Sequence, residues 1–201
     1  VYKPETGVFY LDHEKLSGKF TAEISRKGIA RTFQNIRLFS NLSVLDNVKA
    51  AMNGKNPYSV FSAALRLPAY WHGEERTQRL ALELLEVFAL EASAHDLAQN
   101  LPYGQQRKLE IARALATEPK LLLLDEPAAG MNPNETVELM QTIRLIRDQF
   151  HMTILLIEHD MRLVSEICQR LTVLNFGQEI ASGETSDVLR DPKVISAYLG
   201  Q

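Results

Sequence analysis

Apolar positions keep one period at the two ends of this chain and another in its middle. Val8-Phe9-Tyr10-Leu11 suits a strand, and Ile29-Ala30-Arg31-Thr32-Phe33-Gln34 suits a second that ends at a glutamine; both fit one core. Between about residues 42 and 117 the repeat turns helical, with Val44, Leu45 and Val48 on one face and Leu80, Leu84, Val87 and Phe88 on another. Four leucines, 121 to 124, then run into Asp125-Glu126-Pro127. A short apolar run that stops at paired carboxylates predicts a strand buried on both faces of a parallel sheet. Its acids lie at the carboxyl end, where open α/β sheets place ligands.

The α/β alternation continues from there. Asn132 predicts a helix cap, with Pro133 at the first position and Glu135 at the third, ahead of Val137, Met140, Ile143 and Ile146 at helical spacing. Residues 152–157 predict the next parallel strand, and Leu163, Val164 and Ile167 a helix after it. Residues 171–176 and 178–181 predict a hairpin around Gly177, and Thr185 and Asp187 a short helix before Pro192. The architecture is α/β with a mostly parallel sheet, its core formed by residues 1–41 and 118–201 and interrupted by a mostly helical subdomain at 42–117. Turn residues and aromatics mix at 53–58 and 68–73, where ordinary packing of Phe61, Leu65 and Trp71 is the expectation and an exposed docking surface the alternative.

Composition narrows the function. The 201 residues are 45% hydrophobic and 23% charged, enough to bury a real core. A net charge of −3 without a Lys/Arg-rich run gives no electrostatic footprint for nucleic acid. The single cysteine, Cys168, sits in an apolar stretch and has no intramolecular partner, which points to a reducing compartment and a buried, inert thiol. No apolar stretch is long enough to span a bilayer, so a membrane role would come through a partner.

Chemistry concentrates in a few segments. Asp125 and Glu126 are neighbours on an extended strand, so their side chains point to opposite sides and can divide two jobs. A neutral amide at Gln34 can orient water or a cation without adding charge, and His159 ends the next apolar strand within Ile157-Glu158-His159-Asp160. Leu101-Pro102-Tyr103-Gly104-Gln105-Gln106 leads into a helix starting near Gln105, whose first N–H groups suit a phosphate.

Taken in order with Ala128-Ala129-Gly130-Met131-Asn132-Pro133, these segments resemble the ATP-binding subunit of an ABC transporter over essentially the whole chain. The resemblance implies a P-loop NTPase-like (RecA-like) core with the helical signature subdomain of that family, and ATP with Mg2+ at its site. Asp125 and Gln34 would meet the Mg2+. Glu126 would polarise the attacking water, with Gln34 and His159 at the same centre. Tyr103, Gly104, Gln105 and Asn132 would contact ATP held by an opposite subunit across a dimer interface. Pro102 stands where the family has serine, Tyr103 where it has glycine and Asn132 where it has aspartate. Tyr103-Gly104-Gln105-Gln106 followed by Arg107-Lys108-Leu109-Glu110-Ile111-Ala112-Arg113 is similar to the branched-chain amino acid transport subgroup.

Implied partners are membrane permease subunits, a second ATPase subunit in a homo- or heterodimer and, indirectly, an extracytoplasmic solute-binding protein, with no nucleic acid. The implied location is peripheral, on the cytoplasmic face of the membrane. A non-transport ABC-type ATPase and a catalytically inactive interaction fragment are the alternatives. No Gly-x-x-x-x-Gly-Lys-Ser/Thr occurs in the sequence, and the opening Val1-Tyr2-Lys3-Pro4-Glu5-Thr6-Gly7 is similar to the phrase that follows the family's phosphate-loop helix. The expectation is amino-terminal truncation, with the phosphate loop, the first strands and the adenine-stacking aromatic on the missing part, and little ATP binding by this chain alone.

Overall fold

The structure, a computed structural model, describes residues 5–52, 54 and 59–199. Residues 1–4 of the opening phrase, and 53 and 55–58 of the mixed segment, lie outside the described residues. Strands β1 (Tyr10–Leu11) and β2 (Glu14–Lys15) form a tight antiparallel hairpin, pairing Tyr10 with Lys15 and Leu11 with Glu14. Asp12 and His13 turn the chain at φ 47° and 65°, the handedness a two-residue hairpin needs. The strand expected at residues 8–11 is therefore shortened to two residues and consumed by local pairing, apart from the parallel sheet. Helix α1 (Thr21–Arg26) follows and leads into β3 (Ile29–Arg31).

Helices α2 (Val44–Met52), α3 (Val60–Ala64), α4 (Pro68–Val87) and α5 (Tyr103–Leu115) build the helical region. Val44, Val48, Leu85, Phe88, Leu109 and Ile111 fill its interior because their spacing places them on facing stripes. Phe61, Leu65 and Trp71 are exposed, and Trp71 meets Tyr70 edge-on at 5.3 Å between ring centroids. Their expected burial is not met: Phe61 and Leu65 lie on and just after α3, a helix of only five residues, and Trp71 is on the exposed side of the first turn of α4.

Strand β4 (Leu121–Asp125) sits between β3 and β5 (Thr153–Ile157), parallel to both, with Leu122 opposite Ile154 and Asp125 opposite Ile157. Helix α6 (Pro133–Phe150) makes the crossover between β4 and β5. Leu122 and Leu124 are 0% and 1% exposed, packed in the main core with Leu139, Ile143 and Ile146 of α6. The opposite face differs: Leu155 and Ile157 are 55% and 54% exposed, in register with half-buried Leu123 and Asp125. Burial on both faces of β4 is thus corrected to burial on one, because the described helices of the main core stand on the Leu122–Leu124 side.

Helix α7 (Met161–Ile167) begins at Asp160, whose carboxylate accepts from the N–H of Arg162 at 2.9 Å. Strands β6 (Arg170–Asn175) and β7 (Gln178–Glu184) make the expected hairpin, closed by Phe176 and Gly177. With α8 (Thr185–Val188) and α9 (Pro192–Leu199) the hairpin encloses a second, small core of Val173, Val188 and Val194. Cys168 caps the end of α7 and is half-buried; burial pushes its thiol up. Among the described residues no helix is long and apolar enough to cross a membrane.

Candidate active site

The carboxyl ends of β4 and β5 meet at Glu126. Its N–H donates to the Ile157 carbonyl at 2.9 Å, continuing the strand pairing by one bond. Its φ of 44° then turns the backbone out of the sheet in the left-handed region that a glutamate rarely adopts. That turn, rather than strand alternation, separates the directions of Asp125 and Glu126.

Two of the other predicted catalytic side chains converge on Glu126. The Gln34 amide nitrogen donates to its Oε2 at 2.8 Å, and His159 Nδ1 lies 3.6 Å from its Oε1. Gln34 arrives there because β3 ends alongside β4 and the Thr32 N–H makes a last bond to the Leu123 carbonyl at 2.9 Å. His159 arrives because β5 ends at Ile157, directly opposite Asp125, and Asp160 caps the start of α7, leaving only Glu158 and His159 between strand and helix cap.

Asp125 has a different neighbour. Its Oδ2 accepts from Arg31 Nη2 at 2.7 Å, and the Gln34 amide points to Glu126 instead of joining it. Among the described residues no group of three or more His, Cys, Asp or Glu side chains is gathered as a metal cage. The donor chemistry nevertheless fits Mg2+, which takes oxygen ligands, keeps much of its water and is held by one or two carboxylates with substrate phosphates. Asp125, at the strand end beside Glu126, is the residue that would hold it.

The predicted ATP-contacting residues form a second patch. Helix α5 starts at Tyr103, two residues earlier than expected, with Pro102 at its N-cap and no side-chain cap. Tyr103 Oη donates to the Ala129 carbonyl at 3.0 Å, and its ring lies over Gly130. Asn132 Oδ1 accepts from the N–H groups of Asn134 and Glu135 at 3.0 Å each, while Glu135 Oε2 accepts from the Asn132 N–H at 2.9 Å, completing the predicted capping box. A Cβ on Gly104 would stand 2.7 Å from Glu135 Oε1, so glycine permits the close approach of α5 to α6. Tyr103, Gly104 and Asn132 are therefore joined within one chain through the 129–135 turn; Gln105 is half-buried next to them. The two patches connect where the Ala129 N–H donates to the Glu126 carbonyl at 3.1 Å.

Four polar residues of this region carry no site role in the sequence motifs. Arg31 pairs with Asp125. Glu158 is 2% exposed at its side chain and accepts from the N–H groups of Ala128 and His159 at 3.2 Å each, tying the two strand ends together. Arg107 and Glu110 are buried as an ion pair at 2.8 Å on α5. The available signal was their three-residue spacing within an otherwise apolar helix face.

Comparison with known proteins follows the same lines. A family model described as ABC transporter matches residues 1–129. The high-affinity branched-chain amino acid transport ATP-binding protein LivG of Salmonella typhimurium is 42% identical over 200 residues, covering 100% of this chain and 78% of that protein. The corresponding BraF of Pseudomonas aeruginosa is 40% identical with the same coverage. The lipopolysaccharide export system ATP-binding protein LptB of Escherichia coli is 32% identical, covering 98% of the chain and 76% of that protein. Among solved structures, the ADP conformation of MJ1267, an ATP-binding cassette of an ABC transporter, superposes with TM-score 0.79 at 31% identity, over 100% of this chain and 79% of that one. The dimeric post-hydrolysis state of the cassette MJ0796, bound to ADP and Pi, gives 0.75 at 26% identity, over 92% and 75%.

Proposed function

We propose a function from the premise that the chain belongs to the ABC transporter family of ATP-binding cassettes, for which ATP hydrolysis is characteristic. The finer reading is an energy-coupling subunit that binds and hydrolyses ATP in a head-to-tail pair of cassettes and drives a membrane permease for branched-chain amino acids. The names of the LivG and BraF relatives support the cargo, and the MJ0796 dimer supports the pairing. The core at 1–41 and 118–201 would hold the hydrolytic centre, and the helical subdomain at 42–117 would reach the partner cassette and the permease.

The convergence of Gln34 and His159 on Glu126 carries the mechanism. Glu126 orients and polarises the attacking water through a carboxylate oxygen. Gln34 holds that carboxylate by its amide and releases it when the loop after β3 moves. His159 stands ready to donate to the terminal phosphate and keep it in line with the water. Mg2+ held through Asp125 would neutralise phosphate charge, the main demand of phosphoryl transfer. Arg31 leaves Asp125 oriented but not isolated as an uncompensated charge. Across the dimer, Tyr103, Gly104, Gln105 and Asn132 would complete the partner's nucleotide site.

The test is Glu126→Gln in the native transporter assembly. Nucleotide binding stays, and turnover falls by about a hundredfold or more. Unchanged turnover removes Glu126 from the mechanism. Cargo is read by whether branched-chain amino acids, presented with their binding protein, stimulate hydrolysis in reconstituted vesicles; stimulation by a lipid substrate instead would favour the LptB-like reading.

A further inference from the structure

Helix α5 carries two charges that the hydrolytic centre does not use directly. Arg107 and Glu110 are 0% and 2% exposed at their side chains and bind each other one turn apart. Burying such a pair costs several kcal/mol per ion before its attraction offsets the loss, and a well-packed apolar pair is often as stable. Its remaining hydrogen bonds show where the charge is spent. Arg107 Nη1 donates to the Phe33 carbonyl and Nη2 to the Gln34 carbonyl, both at 2.7 Å. Glu110 Oε1 accepts from the Arg37 N–H at 3.1 Å. Arg113, on the same helix, donates to the Arg37 carbonyl.

Residues 33–38 lie between the last sheet bond at Thr32 and the start of α2, outside any strand or helix. Their backbone is gripped by side chains of α5. The guanidinium suits this task because its planar fork holds two carbonyls and the Glu110 carboxylate in fixed directions, whereas an ammonium is a compact point charge with freely rotating donors. The same helix begins at Tyr103 and Gly104, four and three residues before Arg107, about one helical turn away.

We propose that Arg107 and Glu110 are positioning residues that act through Gln34. They fix the backbone at Phe33 and Gln34 so that the Gln34 amide reaches Glu126, and they make α5 a rigid link between the ATP-contacting turn at Tyr103–Gly104 and the hydrolytic carboxylate. A shift of that turn on engaging a partner's nucleotide moves the Gln34 backbone with it. The proposal rests on Glu126 as the water-orienting carboxylate.

The experiment is a mutant cycle in the native assembly, by single-turnover hydrolysis, nucleotide affinity and melting temperature. Arg107→Lys keeps the pair with Glu110 but loses the fork; Arg107→Met with Glu110→Leu replaces the pair by apolar groups of similar volume. Each should lower the hydrolysis rate by at least about tenfold with little change in ATP affinity. In a Gln34→Ala background the same changes should alter the rate by less than about twofold, because a shared route is not additive. Independent, multiplying losses in both backgrounds overturn the proposal, as does a full rate in Arg107→Lys while Gln34→Ala is slow. Loss of the fold in Arg107→Lys as well makes the pair purely structural and also overturns it. If Gln34→Ala and Glu126→Gln both hydrolyse at the wild-type rate, the hydrolytic reading itself fails and takes this one with it.

Discussion

Glu126 holds a backbone conformation that costs stability, and the cost can be measured apart from catalysis. At φ 44° its Cβ crowds the following carbonyl, a penalty of about 1–2 kcal/mol for an L-residue. Glycine escapes that penalty but loses about 0.5–1 kcal/mol through the freedom of the unfolded chain. Glu126→Ala and Glu126→Gly both delete the hydrogen bond from Gln34 and the neighbour at His159, so these losses cancel between them. The difference isolates the backbone: the glycine variant should be the more stable by about 0.75 kcal/mol at the midpoints of the two ranges and by no more than about 1.5 kcal/mol, or roughly 2–3 °C in melting temperature at the midpoint for a protein of this size. Circular dichroism melts in one buffer, checked by urea midpoints at constant slope, read the comparison. Asparagine, which tolerates this conformation, should fall between the two. An alanine variant equal to or above the glycine variant would refute the reasoning, since position 126 would then carry no strain. Strain of this kind collects at functional sites because the geometry needed for chemistry overrides the residue's own preference.

Three further outcomes are expected. The 201-residue chain, whose sequence contains no Gly-x-x-x-x-Gly-Lys-Ser/Thr, should show little heat on titration with Mg-ATP; low-micromolar binding by this chain would contradict it. Asn132→Ala removes an oxygen that serves two N–H groups and should cost about 1 kcal/mol in urea unfolding, whereas Asn132→Asp, which keeps the cap, should stay within about 0.5 kcal/mol of the parent; equal losses would separate the cap from stability. Because burial raises the Cys168 thiol and the thiolate is the nucleophile, alkylation at pH 8 should be slower than for an unhindered cysteine peptide and should rise as pH is raised; equal rates would place the thiol in water.

Legibility in the sequence followed the range of the interactions. The cap at Asn132, the hairpin around Gly177 and the strand at the four leucines rest on neighbours a few residues apart, and their residue types state the physics directly. Which face of β4 is covered depends on which helices stand over it, and an apolar run carries no mark of that. The same holds for Phe61 and Trp71, whose burial required a partner surface that composition cannot show. The roles of Gln34, Glu126 and His159 rest on resemblance, and their proximity comes from strand register. Arg107 eluded the pattern for another reason: its partners are the carbonyls of Phe33 and Gln34, backbone atoms distant along the chain that have no side-chain signature.

The small core of Val173, Val188 and Val194 has a consequence for how unfolding is observed. It closes the β6–β7 hairpin on itself, separate from the cluster that packs β4 against α6. Regions with so few buried apolar contacts open at lower free energy than a central strand, so amide protons of the hairpin should exchange with solvent before those of β4. The chain has one tryptophan, Trp71, and it lies on α4 in the helical region. Tryptophan emission, excited where tyrosine does not absorb, therefore follows one cooperative unit and is blind to the other: a hairpin that has already come apart leaves it unchanged, and a single sharp transition is no proof that the chain unfolds as a whole.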